Sequence, residues 1–207
     1  MYTYLALGDS YTCGEAVPSE QAFPRQLVTQ LRTGGVEIAD PEIIAVTGWT
    51  TGELMHGIKE RDITGSFDLV TLLIGVNNQY RGPAKGFTLD AYRPEFTELL
   101  QTAIHFAGGK AERVVVISVP DWSVTPMAGE ADRAHIAAEI DSYNTVNKQI
   151  SEQYGAQYVD ITPLSRQAAN DPSLIASDDL HFSGSMYTQW VSAILPKLDF
   201  LKNEATD

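Results

Sequence analysis

The segment Val114–Val119, VVVISV, constrains the fold more than any other stretch of the chain. Nearly every residue in it is β-branched, and no polar residue alternates with the apolar ones. A strand of this kind is buried on both faces and belongs in a parallel sheet covered by helices on each side. The rest of the chain supplies both parts. Tyr2–Leu7, Phe67–Ile74 and Tyr158–Ile161 read as strands, and another lies within Val36–Val46, where Pro41 delays its start to near Glu42. Between them run helical stripes: Phe23, Leu27 and Leu31 within Ala22–Leu31; Leu89 through Phe106, closed by Gly108-Gly109; and Ile136, Ile140, Tyr143 and Ile150. Thr50-Thr51-Gly52-Glu53 has the spacing of a capping box. Ser183 is placed to cap a last helix carrying Tyr187, Trp190 and Ile194, in which Pro196 forces a kink or a break. The expectation is an α/β protein, one domain over residues 1–207, with a doubly wound parallel sheet. No repeat, low-complexity tract or linker interrupts it. The longest loops are expected at Gln79–Gly86, Pro120–Glu130 and Asn170–Phe182.

Ligands of such sheets bind beyond the carboxyl ends of the strands, and those ends carry reactive groups. Gly8-Asp9-Ser10 follows the first strand, Thr47-Gly48-Trp49 the second, Gly75-Val76-Asn77-Asn78 the third and Pro120-Asp121-Trp122 the fourth. Asp178-Asp179-Leu180-His181 precedes the last helix and can reach the same rim. These are the parts that acyl transfer needs. A serine hydroxyl attacks only when a base takes its proton, and a histidine suits that task. A carboxylate fixes the histidine tautomer. Donors must await the oxyanion, and the N–H groups of Ser10 and Gly48 with the Asn77 amide would supply three.

Charge excludes other classes. The net charge of −13 repels phosphate backbones and anionic headgroups, so no nucleic-acid partner is expected. No run of about 18 apolar residues is present, so no membrane span is expected. A single cysteine, Cys13, and no basic-then-apolar N-terminal segment point to a cytoplasmic protein, although a removed signal peptide would leave the same N-terminus. Neither feature speaks to oligomeric state. Glu53 and His56 have the i, i+3 spacing of some carboxylate-bridged metal sites, but no second motif accompanies them, and no metal is expected. His56, His105 and His135 lie in helical patterns and read as structural, Asp9 as a turn-shaping residue and Cys13 as a packed thiol.

GDSYTCGE at 8–15, VTGWTTGE at 46–53, IGVNN at 74–78 and DDLH at 178–181 resemble, in order and spacing, the four sequence blocks of the SGNH, or GDSL-type, esterases and lipases. The Phe23-Pro24 pair resembles the aromatic-Pro that often opens the family's first helix. The resemblance implies a flavodoxin-like three-layer α/β/α fold with a five-stranded sheet of order 2-1-3-4-5. It also implies Ser10 as nucleophile, His181 as general base, Asp178 as its partner, and Ser10, Gly48 and Asn77 as the oxyanion hole. Asp179 is the alternative carboxylate. The family's third block usually reads Gly-x-Asn-Asp, and here Asn78 replaces the acid. Position 12 is Thr, so the G-x-S-x-G elbow of α/β-hydrolases is absent.

The reading that follows is a serine hydrolase of carboxylic esters working through an acyl-serine, with no metal or organic cofactor. The chain has few long insertions, which favours an open site for short acyl groups such as acetyl on a sugar. Lysophospholipase, thioesterase and acyltransferase activities also occur in the family. Trp49, Tyr80, Arg81 and Trp122 fall in rim loops and are candidates for substrate binding, Arg81 for an anionic or polar group. The rival from another class is a noncatalytic flavodoxin-like binding domain. A receiver version would need an aspartate after the third strand and a lysine after the fifth. The chain has Gly75 and Thr162-Pro163 there.

Overall fold

In the computed structural model, which describes residues 1–61, 63–130 and 132–203, five strands alternate with helices. The strands are β1 (Tyr4–Gly8), β2 (Glu42–Ala45), β3 (Leu69–Leu73), β4 (Val114–Ile117) and β5 (Gln157–Val159). All pairs are parallel, and the order is β2-β1-β3-β4-β5. This is the order the resemblance implies. Strand residues alternate between two cores. Tyr4, Ala6, Leu69, Leu73, Val115 and Ile117 face one, and Leu5, Leu7, Val70, Leu72, Val114 and Val116 face the other. Both faces of the three central strands are therefore buried, and VVVI in β4 is buried along its whole length.

The helices are α1 (Ser10–Cys13), α2 (Phe23–Thr33), α3 (Thr51–Glu60), α4 (Val76–Arg81), α5 (Leu89–Phe106), α6 (Arg133–Tyr154), α7 (Thr162–Ser165), α8 (Gly184–Ile194) and α9 (Phe200–Asn203). Helices α2 and α8 cover the first face through Leu27, Leu31, Trp190 and Ile194. Helices α3, α5 and α6 cover the second through Leu54, Phe96, Leu100 and Val146. The expected capping box forms at Thr50 and Glu53. No helix of the described residues is long and apolar enough to cross a membrane.

Several boundaries differ from expectation, each for a local reason. Strand β4 stops at Ile117, not Val119, because the Asn144 side chain takes both backbone groups of Val119. Its Oδ1 accepts from the Val119 N–H at 2.7 Å, and its Nδ2 donates to the Val119 carbonyl at 2.9 Å. Part of the expected 79–86 loop is helix, because α4 starts at Val76 and runs to Arg81. Ser183 stands at the start of α8, but its buried hydroxyl makes no capping bond. Helix α8 ends at Ile194, and Pro196 falls in the 3₁₀ turn that follows.

Gly8 is where the fold meets the site. It pairs with Ala45 on one side and Leu73 on the other, so the segments leaving β1, β2 and β3 start side by side. A Cβ on Gly8 would lie 2.1 Å from Thr12 Oγ1 and 2.5 Å from the Leu73 carbonyl oxygen. Only a residue without a side chain lets α1 fold back so closely onto the strand end. Gly8→Ala is expected to destabilise the protein by about 1–3 kcal/mol, as overpacking does. Urea denaturation checks this; an unchanged midpoint would mean the junction yields freely.

Candidate active site

The turn from β1 into α1 takes one residue, Asp9. Its Oδ1 accepts from the Tyr11 N–H at 3.1 Å and caps the helix. Ser10 is thus the first helical residue, and its N–H is among those that a helix leaves without an intrahelical partner. Asp9 is wholly buried, and its Oδ2 has no hydrogen-bond partner. Burial raises its carboxyl to about 7, against the lowering effect of its backbone hydrogen bonds.

Across the rim, His181 is 8% exposed and edge-on to the Tyr11 ring, with centroids 5.5 Å apart. Its Nδ1 lies 2.5 Å from Asp178 Oδ2. Asp178 Oδ1 accepts from the backbone N–H groups of His181 at 2.9 Å and Leu180 at 3.1 Å. Partial burial raises the Asp178 carboxyl, but these bonds outweigh it and hold the carboxyl below its ordinary value. The adjacent Asp179 does not share the ring. It adopts φ 61°, and its carbonyl accepts from the Met127 N–H at 3.1 Å. An i, i+3 carboxylate bound to both ring and backbone holds the imidazole in one orientation and leaves Nε2 as the acceptor.

The other two expected oxyanion donors come from adjacent segments. Gly48 has φ 88°, a conformation natural only to glycine. Asn77 stands in the first turn of α4 and donates from Nδ2 to the Trp49 carbonyl at 2.9 Å. A carboxamide nitrogen has two N–H bonds, so one remains. The Asn78 replacement has its own logic. Its Oδ1 accepts from the Thr51 N–H at 3.1 Å, and its Nδ2 donates to Thr51 Oγ1 at 2.7 Å. The Thr51 hydroxyl is then free to donate to Glu95. An aspartate at 78 would compete with Glu95 for that one proton.

Ser10, His181, Gly48 and Asn77 line one cavity of about 210 Å³. Tyr11, Thr47, Val76, Tyr80, Trp122, Met127 and Leu180 complete it. Tyr80 is 68% exposed and stands edge-on to Trp122 at 5.6 Å. Trp122 is fixed by its Nε1, which donates to Gln79 Oε1 at 2.8 Å, and Gln79 in turn donates to Glu139. Met127, 58% exposed, is a wall that the sequence did not single out, since nothing in a loop methionine reports which way it turns.

Two of the four expected substrate-binding residues do not line this cavity. Trp49 packs its indole over α3, where Gly57 leaves the slot: a Cβ there would sit 2.2 Å from the ring. Arg81 turns away to the Gly48 carbonyl, 2.7 Å, and to Glu53, 2.9 Å. Glu53 is thereby committed, and His56 pairs with Glu60 at 3.3 Å. Among the described residues no group of three or more His, Cys, Asp and Glu is placed to hold a metal. Cys13 lies 3.8 Å from the Thr47 hydroxyl, and burial pushes its thiol up, away from the thiolate form.

Residues 6–189 of the chain match the GDSL-like Lipase/Acylhydrolase family. The chain belongs to this family. It is a carboxylic ester hydrolase. No curated protein sequence matches it. Among solved structures it is similar to Axe2, an acetylxylan esterase from Geobacillus stearothermophilus, with a TM-score of 0.74 at 21% identity over 95% of this chain and 93% of that one. Catalytic mutants of Axe2 replace a serine and a histidine by alanine. The lipase/acylhydrolase from Enterococcus faecalis aligns with a TM-score of 0.67 at 20% identity, over 96% of this chain and 95% of that one. TesA aligns at 0.70 and 14% identity, over 96% and 99%.

Two stability predictions follow from this geometry. The folded state keeps a proton on Asp9 up to about pH 7, whereas the unfolded chain releases it near the ordinary value of about 4. Between these pH values the native state binds more protons, so the contribution of Asp9 to stability falls as pH rises. The advantage of Asp9→Asn over wild type should therefore grow from about pH 4 to about 7 and level off above that. Urea midpoints at three pH values test this, and a constant difference would refute it. Asn78→Asp should cost about 1–3 kcal/mol at neutral pH by leaving a buried acceptor unsatisfied next to Glu95. The same denaturation assay measures that loss.

Proposed function

We propose that the chain removes short acyl groups, acetyl above all, from hydroxyls of sugars, with Ser10 as nucleophile, His181 as general base and Asp178 as the carboxylate that orients it. The observation that carries this is the convergence of Ser10, His181, Gly48 and Asn77 on one cavity of about 210 Å³. That volume is below the roughly 300–1,000 Å³ usual for small-molecule pockets. It suits an acetyl group with part of a polar leaving group better than a long chain.

The steps follow from the positions. Ser10 Oγ attacks the acyl carbonyl, and its proton passes to His181 Nε2. Asp178, on Nδ1, stabilises the imidazolium that forms. The oxyanion receives the N–H groups of Ser10 and Gly48 and the second amide hydrogen of Asn77. His181 returns the proton to the leaving alcohol. Water then repeats the sequence on the acyl-serine and releases the acid. Trp122, Tyr80 and Met127 form an apolar wall against which the face of a sugar ring can lie. Structural likeness to an acetylxylan esterase supports the same substrate class. The lone cysteine supports a cytoplasmic setting.

Hydrolysis of p-nitrophenyl acetate by wild type and Ser10→Ala tests the assignment. Ser10→Ala and His181→Ala should each lose at least about 10³-fold in kcat. A fluorophosphonate should label wild type on Ser10. Rates across p-nitrophenyl esters should fall steeply beyond butyrate, and acetylated xylo-oligosaccharides should release acetate. Retained activity in Ser10→Ala would overturn the nucleophile, and preference for long chains would overturn the substrate class.

A further inference from the structure

The Gly48 N–H is useful only if it points into the cavity before the substrate arrives. Glycine gives it no such direction. Gly48 has φ 88°, and a Cβ there would meet nothing within 4 Å, so neither its own side chain nor close packing restrains it. The Trp49 N–H donates to the Val46 carbonyl at 3.2 Å and closes a turn around Gly48, and two side chains of α4 fasten that turn from outside. Asn77 donates to the Trp49 carbonyl at 2.9 Å. One turn later, on the same helix face, Arg81 donates from Nη2 to the Gly48 carbonyl at 2.7 Å. Two successive carbonyls of the loop are thus fastened to the helix that carries the other donor.

Arg81 is itself held. Its Nη1 donates to Glu53 Oε1 at 3.1 Å, its Nη2 lies 2.9 Å from Glu53 Oε2, and its guanidinium sits 5.6 Å from the Phe87 ring centroid. The same Glu53 carboxylate accepts from the Thr50 N–H at 2.8 Å and the Thr50 hydroxyl at 2.9 Å. A carboxylate on α3 and a guanidinium on α4 therefore bracket the link Thr47-Gly48-Trp49-Thr50. The guanidinium is a planar fork that can serve the carbonyl and the carboxylate together, which an ammonium cannot copy.

We propose that Arg81 is a positioning residue for the oxyanion hole: through the Gly48 carbonyl, and braced by Glu53, it fixes the direction of the Gly48 N–H relative to the Asn77 amide. This rests on the assignment of Gly48 and Asn77 as oxyanion donors. A donor fixed in advance acts on the transition state and little on the ground state, so the effect belongs in kcat. Removal of a whole oxyanion donor costs ~10²–10³ in rate. Loosening one should cost less, about tenfold.

The test is steady-state kinetics on p-nitrophenyl acetate for Arg81→Ala, Arg81→Lys and Glu53→Gln, with binding of a boronic acid that forms a tetrahedral adduct on the serine. Arg81→Ala should lower kcat about tenfold with KM within twofold. Boronate affinity should fall by the same factor, while inhibition by acetate stays unchanged. Arg81→Lys should recover only part of the loss, and Glu53→Gln should lower kcat in the same direction. A raised KM with unchanged kcat would make Arg81 a substrate-binding residue and overturn the proposal. Unchanged kcat and boronate affinity would overturn it as well. If Arg81→Ala does not fold, Arg81→Lys and Glu53→Gln carry the test, and wild-type kcat in both overturns it. Ser10→Ala, assayed alongside, separates the outcomes: its retained activity would overturn the catalytic assignment and the clamp with it, whereas its loss of activity beside wild-type kcat in the Arg81 and Glu53 variants would overturn the clamp alone.

Discussion

At Gly8, the strand end, the helix that follows it and the neighbouring strand come closer than any side chain would allow. Because β1 is central among β2, β1 and β3, this contact places three departing loops within reach of one another. Ser10 leaves from the first, Gly48 from the second and Asn77 from the third. Asp178 and His181 reach the same rim from the segment before α8, held there by the backbone bonds of Asp178 and by Tyr11. A side chain at position 8 would move Ser10 relative to Gly48 and Asn77 at once.

Polar contacts anchored on buried Asn78, Thr51, Gln79 and Asp121 hold the segments next to the cavity. Asn78 bridges to Thr51, and Thr51 to Glu95. Trp122 is tied through Gln79 to Glu139. Asp121, 2.7 Å from Arg166 Nε, also accepts from the Ser123 N–H and shapes the turn that carries Trp122. Such networks cost stability wherever a member is left unsatisfied, so each fixes the position of its neighbours. Preorganisation of this kind is what acyl transfer requires, since donors that must reorient during the reaction lose much of their effect. These contacts also explain why the third block tolerates asparagine in place of aspartate: Asn78 both accepts from and donates to Thr51.

The surface is acidic, with a net charge of −13, yet two of its exposed large apolar side chains, Tyr80 and Met127, stand at the cavity. An apolar wall beside a polar reacting centre fits a substrate with an acyl ester at one end and the face of a ring at the other.

Local sequence pattern carries the strands, their parallel sense and the residue types at the rim of the sheet. Strand burial, capping boxes and the i, i+3 spacing of Asp178 and His181 are local properties, set by residues a few positions apart. Which rim side chains face the cavity depends on contacts between segments far apart in the chain. Trp49 and Trp122 are both tryptophans in loops after strands, but Gly57 offers a slot for one and Gln79 an acceptor for the other. As sequence, Arg81 in so acidic a chain reads as a candidate to recognise an anionic or polar substrate group. Its actual partners, the Gly48 carbonyl and Glu53, lie 33 and 28 residues away in sequence, and only folding brings them into hydrogen-bonding distance.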